Sequence, residues 1–366
     1  MKIVHSITSF ERGGAQVVLE ILVRALADQG HTQVIIYLYD GPYRQVFEQM
    51  GVPVYKVGGL ISSFDPVSFY RLYHLIKEIK PDIIHSLLWA TNFMVRAIAR
   101  KLGIPCVLSL HNNLEQNGRV RNTLDRLVSY QSHRIVAVSS EVKDSFYAYQ
   151  PGREAVDVIE NGIDCELLAR VQPLSREMFG LLPDHFVIGS VGRLVPLKRY
   201  PLLFDAFALL LKRCANVRLV IIGTGHQEKE LRAYALTIGI DHALVWIINK
   251  PALPYYLLFD CFALTSAKEG ISMALLEAMG LGIVPIVTYD TLTHPVISDM
   301  HNGIVAHGKN ATGVADILER LWGDRELRKK LSGNAQRTIW SRFAKKRMIA
   351  AYLALFESTL QQEQNR

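Results

Sequence analysis

The chain of 366 residues contains no uninterrupted apolar run of the roughly 18 residues that a spanning helix requires. Its longest apolar region, 273–289, is broken by Glu277, Gly280, Gly282 and Pro285, so no transmembrane anchor is expected. Cysteine is scarce. The four, at 106, 165, 214 and 261, show neither Cys-x-x-Cys spacing nor metal-type clustering, which reads as buried thiols in a reducing compartment and gives no metal site. The opening Met1-Lys-Ile-Val-His-Ser-Ile enters a strand at once and lacks the features of a secretory signal, so a cytoplasmic location is expected. Internal repeats are missing, and low complexity is confined to a polar tail, 361–366, expected to fray. No Asp-x-Asp closes a strand. The net charge of +7 and pI near 9.1 would suit nucleic acid, an anionic membrane or a phosphorylated substrate. Nucleic acid is disfavoured, because the basic residues are not interleaved with aromatics in one stretch.

A chain this long exceeds one core of typical size, and two domains are expected. Short apolar runs at 3–7, 34–38, 53–57, 82–85, 105–110, 134–138 and 156–159 alternate with amphipathic stretches such as 16–29 and 65–79. Residues 164–185 carry Pro173 and Pro183 and no strand signal, and read as a connection. Six further runs follow at 186–191, 218–222, 244–248, 261–265, 284–288 and 303–305. Short apolar strands alternating with helices imply parallel sheets covered on both faces, so the fold class is α/β with two doubly wound domains. From about 324 the sequence is helical and mixed in charge, with 340–355 a candidate for packing back across the domain junction.

In doubly wound sheets ligands bind beyond the carboxyl ends of the strands, so the loops after strands carry the argument. The stretch Ser266-Ala-Lys-Glu-Gly-Ile-Ser-Met-Ala-Leu-Leu-Glu-Ala-Met-Gly280 sets Glu277 in an otherwise apolar helix and Glu269 in the turn before it. An unpaired buried charge costs several kcal/mol, so Glu277 requires a partner, from the protein or from a ligand. The start of that helix, with Ile271, Ser272 and Met273 as candidate donor-binding residues, carries the partial positive charge of a helix N-terminus, which suits a pyrophosphate.

The Glu-x7-Glu spacing, with Gly270 after the first Glu and Glu-Ala-Met around the second, resembles the nucleotide-sugar site of retaining glycosyltransferases of the GT-B fold, most closely family 4. The resemblance implies that Glu277 accepts hydrogen bonds from the ribose hydroxyls of the donor and that Glu269 contacts the transferred sugar. An ionised carboxylate accepts only, and can take two vicinal hydroxyls at once. Gly192-Arg-Leu-Val-Pro-Leu-Lys198 resembles the family's G-R-L-x-x-x-K motif, whose Arg193 and Lys198 would clamp the donor diphosphate; in an unrelated chain two such cations would be ordinary surface charge. Gly223-Thr-Gly225 resembles its G-x-G loop near the nucleotide. A third glycine is missing, with Glu228 in its place, so a nicotinamide site is disfavoured. Gly13-Gly14-Ala15 resembles the family's first loop, where Gly14 lets backbone approach the diphosphate, although a plain tight turn would use the same residues.

His111 resembles the family's histidine near the transferred sugar, with His85 a competing candidate. Ser139-Ser140 is assigned to the acceptor side of the cleft, and Asn161-Gly162-Ile-Asp164 to a turn at the domain boundary. The sequence departs from the family pattern at Ser272, where glycine is usual, and at Leu292, Thr293 and Val296, where a glycine pair and a glutamate are usual. These departures bear on sugar recognition.

The resemblance implies an acceptor-binding domain at 1–164, a linker at 165–185, a donor-binding domain at 186–340 and a returning helix at 341–366. It implies no cofactor and no metal, a nucleotide-diphosphate sugar (UDP-linked) as donor and a glycan or polyprenyl-linked glycan as acceptor. The expected products are cell-surface polysaccharide or lipopolysaccharide. Arg119, Arg121, Arg126 and Arg134 with interspersed apolar residues suggest a basic helix able to rest on an anionic membrane surface, and equally a solvated face. Two rival readings stay open: a catalytically silent nucleotide-sugar-binding partner of another transferase, and a GT-B sugar-nucleotide epimerase.

Overall fold

Valine, isoleucine and leucine at both odd and even positions of a strand can be buried only if both faces of the sheet are covered. That condition holds at the central strands of the computed structural model, which describes residues 1–59, 65–111, 118–128, 134–150, 155–267, 270–289, 295–307 and 310–364. The chain divides into two units, Met1–Gly162 with Lys345–Arg366, and Ile163–Ala344.

Among the described residues the first unit holds seven parallel strands: β1 (Lys2–Ser9), β2 (Thr32–Tyr39), β3 (Val54–Lys56), β4 (Ile83–Leu87), β5 (Cys106–Leu110), β6 (Arg134–Ala137) and β7 (Val156–Val158), in the order β3-β2-β1-β4-β5-β6-β7. Ile3, Val4 and Ile7 of β1 are all fully buried although they point to different faces. The helices Gly14–Asp28 and Trp89–Leu102 supply the cover.

The second unit holds β8 (Phe186–Val191), β9 (Val217–Gly223), β10 (Leu244–Ile248), β11 (Cys261–Leu264), β12 (Val284–Tyr289) and β13 (Ile304–His307), ordered β10-β9-β8-β11-β12-β13 and again parallel. In each sheet the chain winds outward one way from its first strand and then restarts on the other side. The crevices at these reversals, between β1 and β4 and between β8 and β11, are where ligands bind in such sheets. The segment read as a connection packs into the second unit, where Arg176 pairs with Asp260 at 3.0 Å and Leu181 is fully buried.

The helical end differs from expectation in detail. The helix Arg325–Arg342, capped by Asp324 accepting from the Leu327 amide at 2.8 Å, stops at Phe343, and a new helix, Lys345–Gln364, belongs to the first unit. The break lies inside the stretch 340–355 read as one helix. Its cause is local: the Phe343 carbonyl accepts from the Ile163 amide at 2.7 Å, and the buried Phe343 ring anchors the turn. The second helix then runs through most of the expected frayed tail. Gly162 is held against its start, where a Cβ would stand 2.8 Å from Lys345 Cα.

A line of buried polar groups runs through the first unit. His5 and His85, register partners on β1 and β4, meet Nδ1 to Nδ1 at 3.1 Å. Gln33 Nε2 donates to the Val23 carbonyl, so its Oε1 faces His5 Nε2 at 3.0 Å and must accept. The remaining roles follow in turn. His85 Nδ1 donates to His5, His85 Nε2 accepts from Ser109 Oγ at 2.9 Å, and Ser109 accepts from the Tyr352 hydroxyl at 3.0 Å. Burial pushes His5 down to about 4 and His85 well below the usual histidine value, so both are neutral, as the chain of donors requires.

No helix among the described residues is long and apolar enough to cross a membrane.

Candidate active site

The loop after β8 is built by contacts with both neighbouring loops. Gly192 donates its amide to the Ile222 carbonyl at 3.0 Å, and Leu194 donates to Thr224 at 2.8 Å. The two loops lie so close that a Cβ on Gly223 would stand 1.9 Å from the Gly192 carbonyl oxygen, and one on Gly225 2.2 Å from that of Leu194. Those glycines are therefore explained by packing of one loop on the other. On the opposite side the Leu197 carbonyl accepts from the Ala267 amide at 2.9 Å, and Thr265 Oγ1 donates to the Lys198 carbonyl at 3.0 Å.

Arg199, in a left-handed conformation (φ 47°), completes the join. Its guanidinium donates to the carbonyls of Thr265 (2.9 Å) and Ser266 (3.1 Å) and to Thr288 Oγ1 (3.1 Å). The loop is thus tied to the ends of β11 and β12, and Lys198, next in chain, is held with its stem across Gly192. Arg193 is exposed, and its side chain makes no hydrogen bond or ion pair among the described residues. Two cations thus stand on a braced loop beside the β8–β11 reversal, one with its guanidinium uncommitted. Sequence reasoning did not single out Arg199; its place directly after the motif was the available signal.

Beyond β11 the helix Met273–Gly280 buries Leu275, Leu276, Ala278 and Met279 completely, and Glu277 is half-buried among them. Its protein partner is Tyr256, whose hydroxyl donates to Glu277 Oε2 at 2.7 Å. Oε1 has no hydrogen-bond partner among the described residues. Burial pushes the carboxyl up to about 7, against the opposing pull of the Tyr256 hydrogen bond. Ile271, Ser272 and Met273 are buried at the helix start, and the Ser272 side chain makes no capping hydrogen bond. Tyr256 was also missed by sequence reasoning, since nothing in Leu253-Pro-Tyr-Tyr-Leu-Leu258 marks one tyrosine as the partner of a carboxylate in a later helix.

Residues 172–338 match the family described as Glycosyl transferases group 1, and residues 12–167 match Glycosyltransferase Family 4. The chain belongs to glycosyltransferase family 4. An uncharacterized glycosyltransferase of Methanocaldococcus jannaschii is 25% identical over 91% of each chain. The UDP-Gal:alpha-D-GlcNAc-diphosphoundecaprenol alpha-1,3-galactosyltransferase of Escherichia coli is 26% identical over 72% of each. Anabaena HepE, solved in complex with UDP and glucose, matches with a TM-score of 0.86 at 21% identity, covering 98% of this chain and 100% of that one, and the two share the GT-B fold.

The other candidate residues of this family 4 glycosyltransferase are distributed as follows. Glu269 lies outside the described residues, as do Leu292 and Thr293. Gly14 opens the helix Gly14–Asp28, and Gly13 before it is extended and packs on Gln16. His111, at the end of β5, keeps a buried Nε2 without a hydrogen-bond partner among the described residues, and burial pushes it down to about 4. His85 is removed from consideration as a sugar-contacting residue, because it is fully buried in the polar line described above. Ser139, assigned to the acceptor side, caps the helix Ser140–Tyr149, accepting from the Val142 amide at 3.3 Å. The basic helix is Gly118–Val128; Arg134 is not on it but opens β6 and pairs with Asp157 at 2.7 Å. Arg121 is exposed, with its guanidinium 4.9 Å from the Trp89 ring centre, and the side chains of Arg119 and Arg126 lie outside the described residues.

Proposed function

We propose that this family 4 glycosyltransferase is a metal-independent, retaining enzyme that transfers a hexosyl or N-acetylhexosaminyl group from a UDP-linked sugar to a glycan or polyprenyl-linked glycan acceptor. The products are cell-surface polysaccharide or lipopolysaccharide precursors assembled on the cytoplasmic side of a membrane. The reading is carried by one observation: Arg193 and Lys198 stand on a loop fastened on both sides, beside the β8–β11 reversal, with the Arg193 guanidinium unpaired among the described residues.

A departing nucleoside diphosphate gathers negative charge. Fixed cations stabilise that charge without reorganising at the moment of reaction, which is where preorganisation is worth most. In this reading Arg193 and Lys198 hold the diphosphate, with the amides at Ile271, Ser272 and Met273 and the Gly14 loop contributing further donors. Glu277 accepts from the ribose hydroxyls. Glu269 and His111 contact the transferred sugar. The acceptor hydroxyl attacks from the face the diphosphate leaves, and a leaving-group oxygen takes its proton, so retention needs no separate strong base. The name of the Escherichia coli relative, which includes a diphosphoundecaprenol-linked acceptor, supports the choice of acceptor class. The exposed Arg121 and Val120 of the helix Gly118–Val128 support an anionic membrane surface as a partner.

Incubation of the protein with UDP-sugars and a polyprenyl-diphosphate-linked glycan, with and without EDTA, tests this reading. Release of UDP only when acceptor is present, an α-linked product from an α-linked donor, and indifference to EDTA are expected. UDP release without acceptor would favour the epimerase, and no turnover with retained binding would favour the silent partner.

A further inference from the structure

The contact between Tyr256 and Glu277 has consequences beyond pairing a buried carboxyl. Tyr256 is fully buried, its ring between those of Phe259 (centres 5.7 Å apart) and Phe262 (6.1 Å), so packing rather than rotamer freedom sets where its hydroxyl points. That hydroxyl has one proton and two acceptors in reach, Glu277 Oε2 at 2.7 Å and the Ala274 carbonyl at 3.2 Å. The shorter contact has the length of a charge-assisted bond. A carboxylate offers about four lone-pair sites, and Tyr256 uses one of them.

We propose that Tyr256 is a positioning residue for the donor: its hydroxyl holds Glu277 in one rotamer, so that Oε1 and the second lone pair of Oε2 form a ready acceptor pair for two vicinal hydroxyls. This rests on the reading that Glu277 binds the ribose. The contact also makes donor affinity respond to pH. Burial alone favours the neutral acid, which has lost an acceptor site, and the Tyr256 hydrogen bond moves the balance back toward the carboxylate. The helix Met273–Gly280 packs on the helices Arg325–Arg342 and Cys165–Leu168 and on β11 and β12. None of them brings a described cation that offsets the burial of Glu277; the titratable groups facing it are Tyr256 and, behind that, Tyr200. Tyr256, raised well above the usual tyrosine value by burial, stays neutral and a donor throughout the neutral range.

The test compares wild type, Tyr256→Phe, Glu277→Ala and the double variant of the full chain. Calorimetric titration with UDP-glucose, GDP-mannose and ADP-glucose across the neutral range gives donor affinity. Carbon-13 titration of the Glu277 carboxyl, assigned by its absence in Glu277→Gln, gives its midpoint without any donor. The phenylalanine keeps the ring packing. We expect Tyr256→Phe to bind donor about tenfold more weakly at alkaline pH and to move the carboxyl midpoint upward, with no further loss when added to Glu277→Ala. An unchanged midpoint would overturn the proposal. So would an equal loss in the Glu277→Ala background, which would make Tyr256 a packing residue only. If no nucleotide sugar binds wild type, the ribose reading fails, and the donor-free midpoint still decides whether Tyr256 governs the carboxylate.

Discussion

Glu277 is costly to the free protein. With its carboxyl raised from the ordinary 4.5 to about 7, the folded chain holds a proton that the unfolded chain has already released. The stabilising effect of that proton is full below pH 4.5 and is lost as pH rises through 7, at a cost of up to about 3 kcal/mol. Glu277→Gln should therefore raise the melting temperature of the free protein more at pH 8 than at pH 5, and a pH-independent difference would contradict the burial argument. The same group should matter in the opposite sense for the ligand: Glu277→Ala is expected to weaken UDP binding, and equal affinity would remove it from the ribose. Arg193→Ala and Lys198→Ala should each lower turnover by about 10²-fold, read from initial rates, as loss of a preorganised charge at a developing anion predicts. The motif residues at this scale were legible because cations and carboxylates are conspicuous beside apolar strands. Tyr256 was not, since its role depends on a fold that returns it to a helix beyond the next strand.

At the scale of elements, the loop after β8 is only as rigid as its two seams. One seam needs glycine on the neighbouring loop, because the atoms a Cβ would strike are backbone and cannot swing aside. Gly225→Ala should cost about 3 kcal/mol and be seen as a lowered melting temperature with weakened donor binding; unchanged melting would mean that the loops do not approach so closely. The other seam is Arg199, three of whose hydrogen bonds hold the ends of β11 and β12. Strands were readable to within two residues at each end because two-sided burial leaves uninterrupted apolar runs between polar loops. The break at Phe343 was not, because both flanking segments share a helical pattern and the decisive contact is made by a backbone carbonyl.

The whole molecule carries an acid sensitivity located in its first unit. His5 is held neutral with its value lowered from 6.5 to about 4, and His85 is lowered well below 6.5, so the stability they support is full above pH 6.5 and falls as the unfolded chain takes up protons below it. Unfolding of that unit should be promoted by acid at up to about 1.4 kcal/mol per pH unit for each histidine, and His5→Gln should flatten the dependence measured by urea denaturation. No pattern announced this line, because strands buried on both faces accept a polar residue wherever its neighbours satisfy it.

The division of the chain also sets an order in time. The sheet of the first unit is finished by residue 162, yet the helix that brings Tyr352 to Ser109 is made only after residues 163–344 have been added. At ordinary rates of synthesis that interval is on the order of ten to forty seconds. Throughout it Ser109 lacks its tyrosine, and the surface later covered by Met348, Tyr352 and Phe356 faces water. A nascent chain halted anywhere in that interval should be cleaved readily in its first unit by a dilute protease, while the released full-length protein resists.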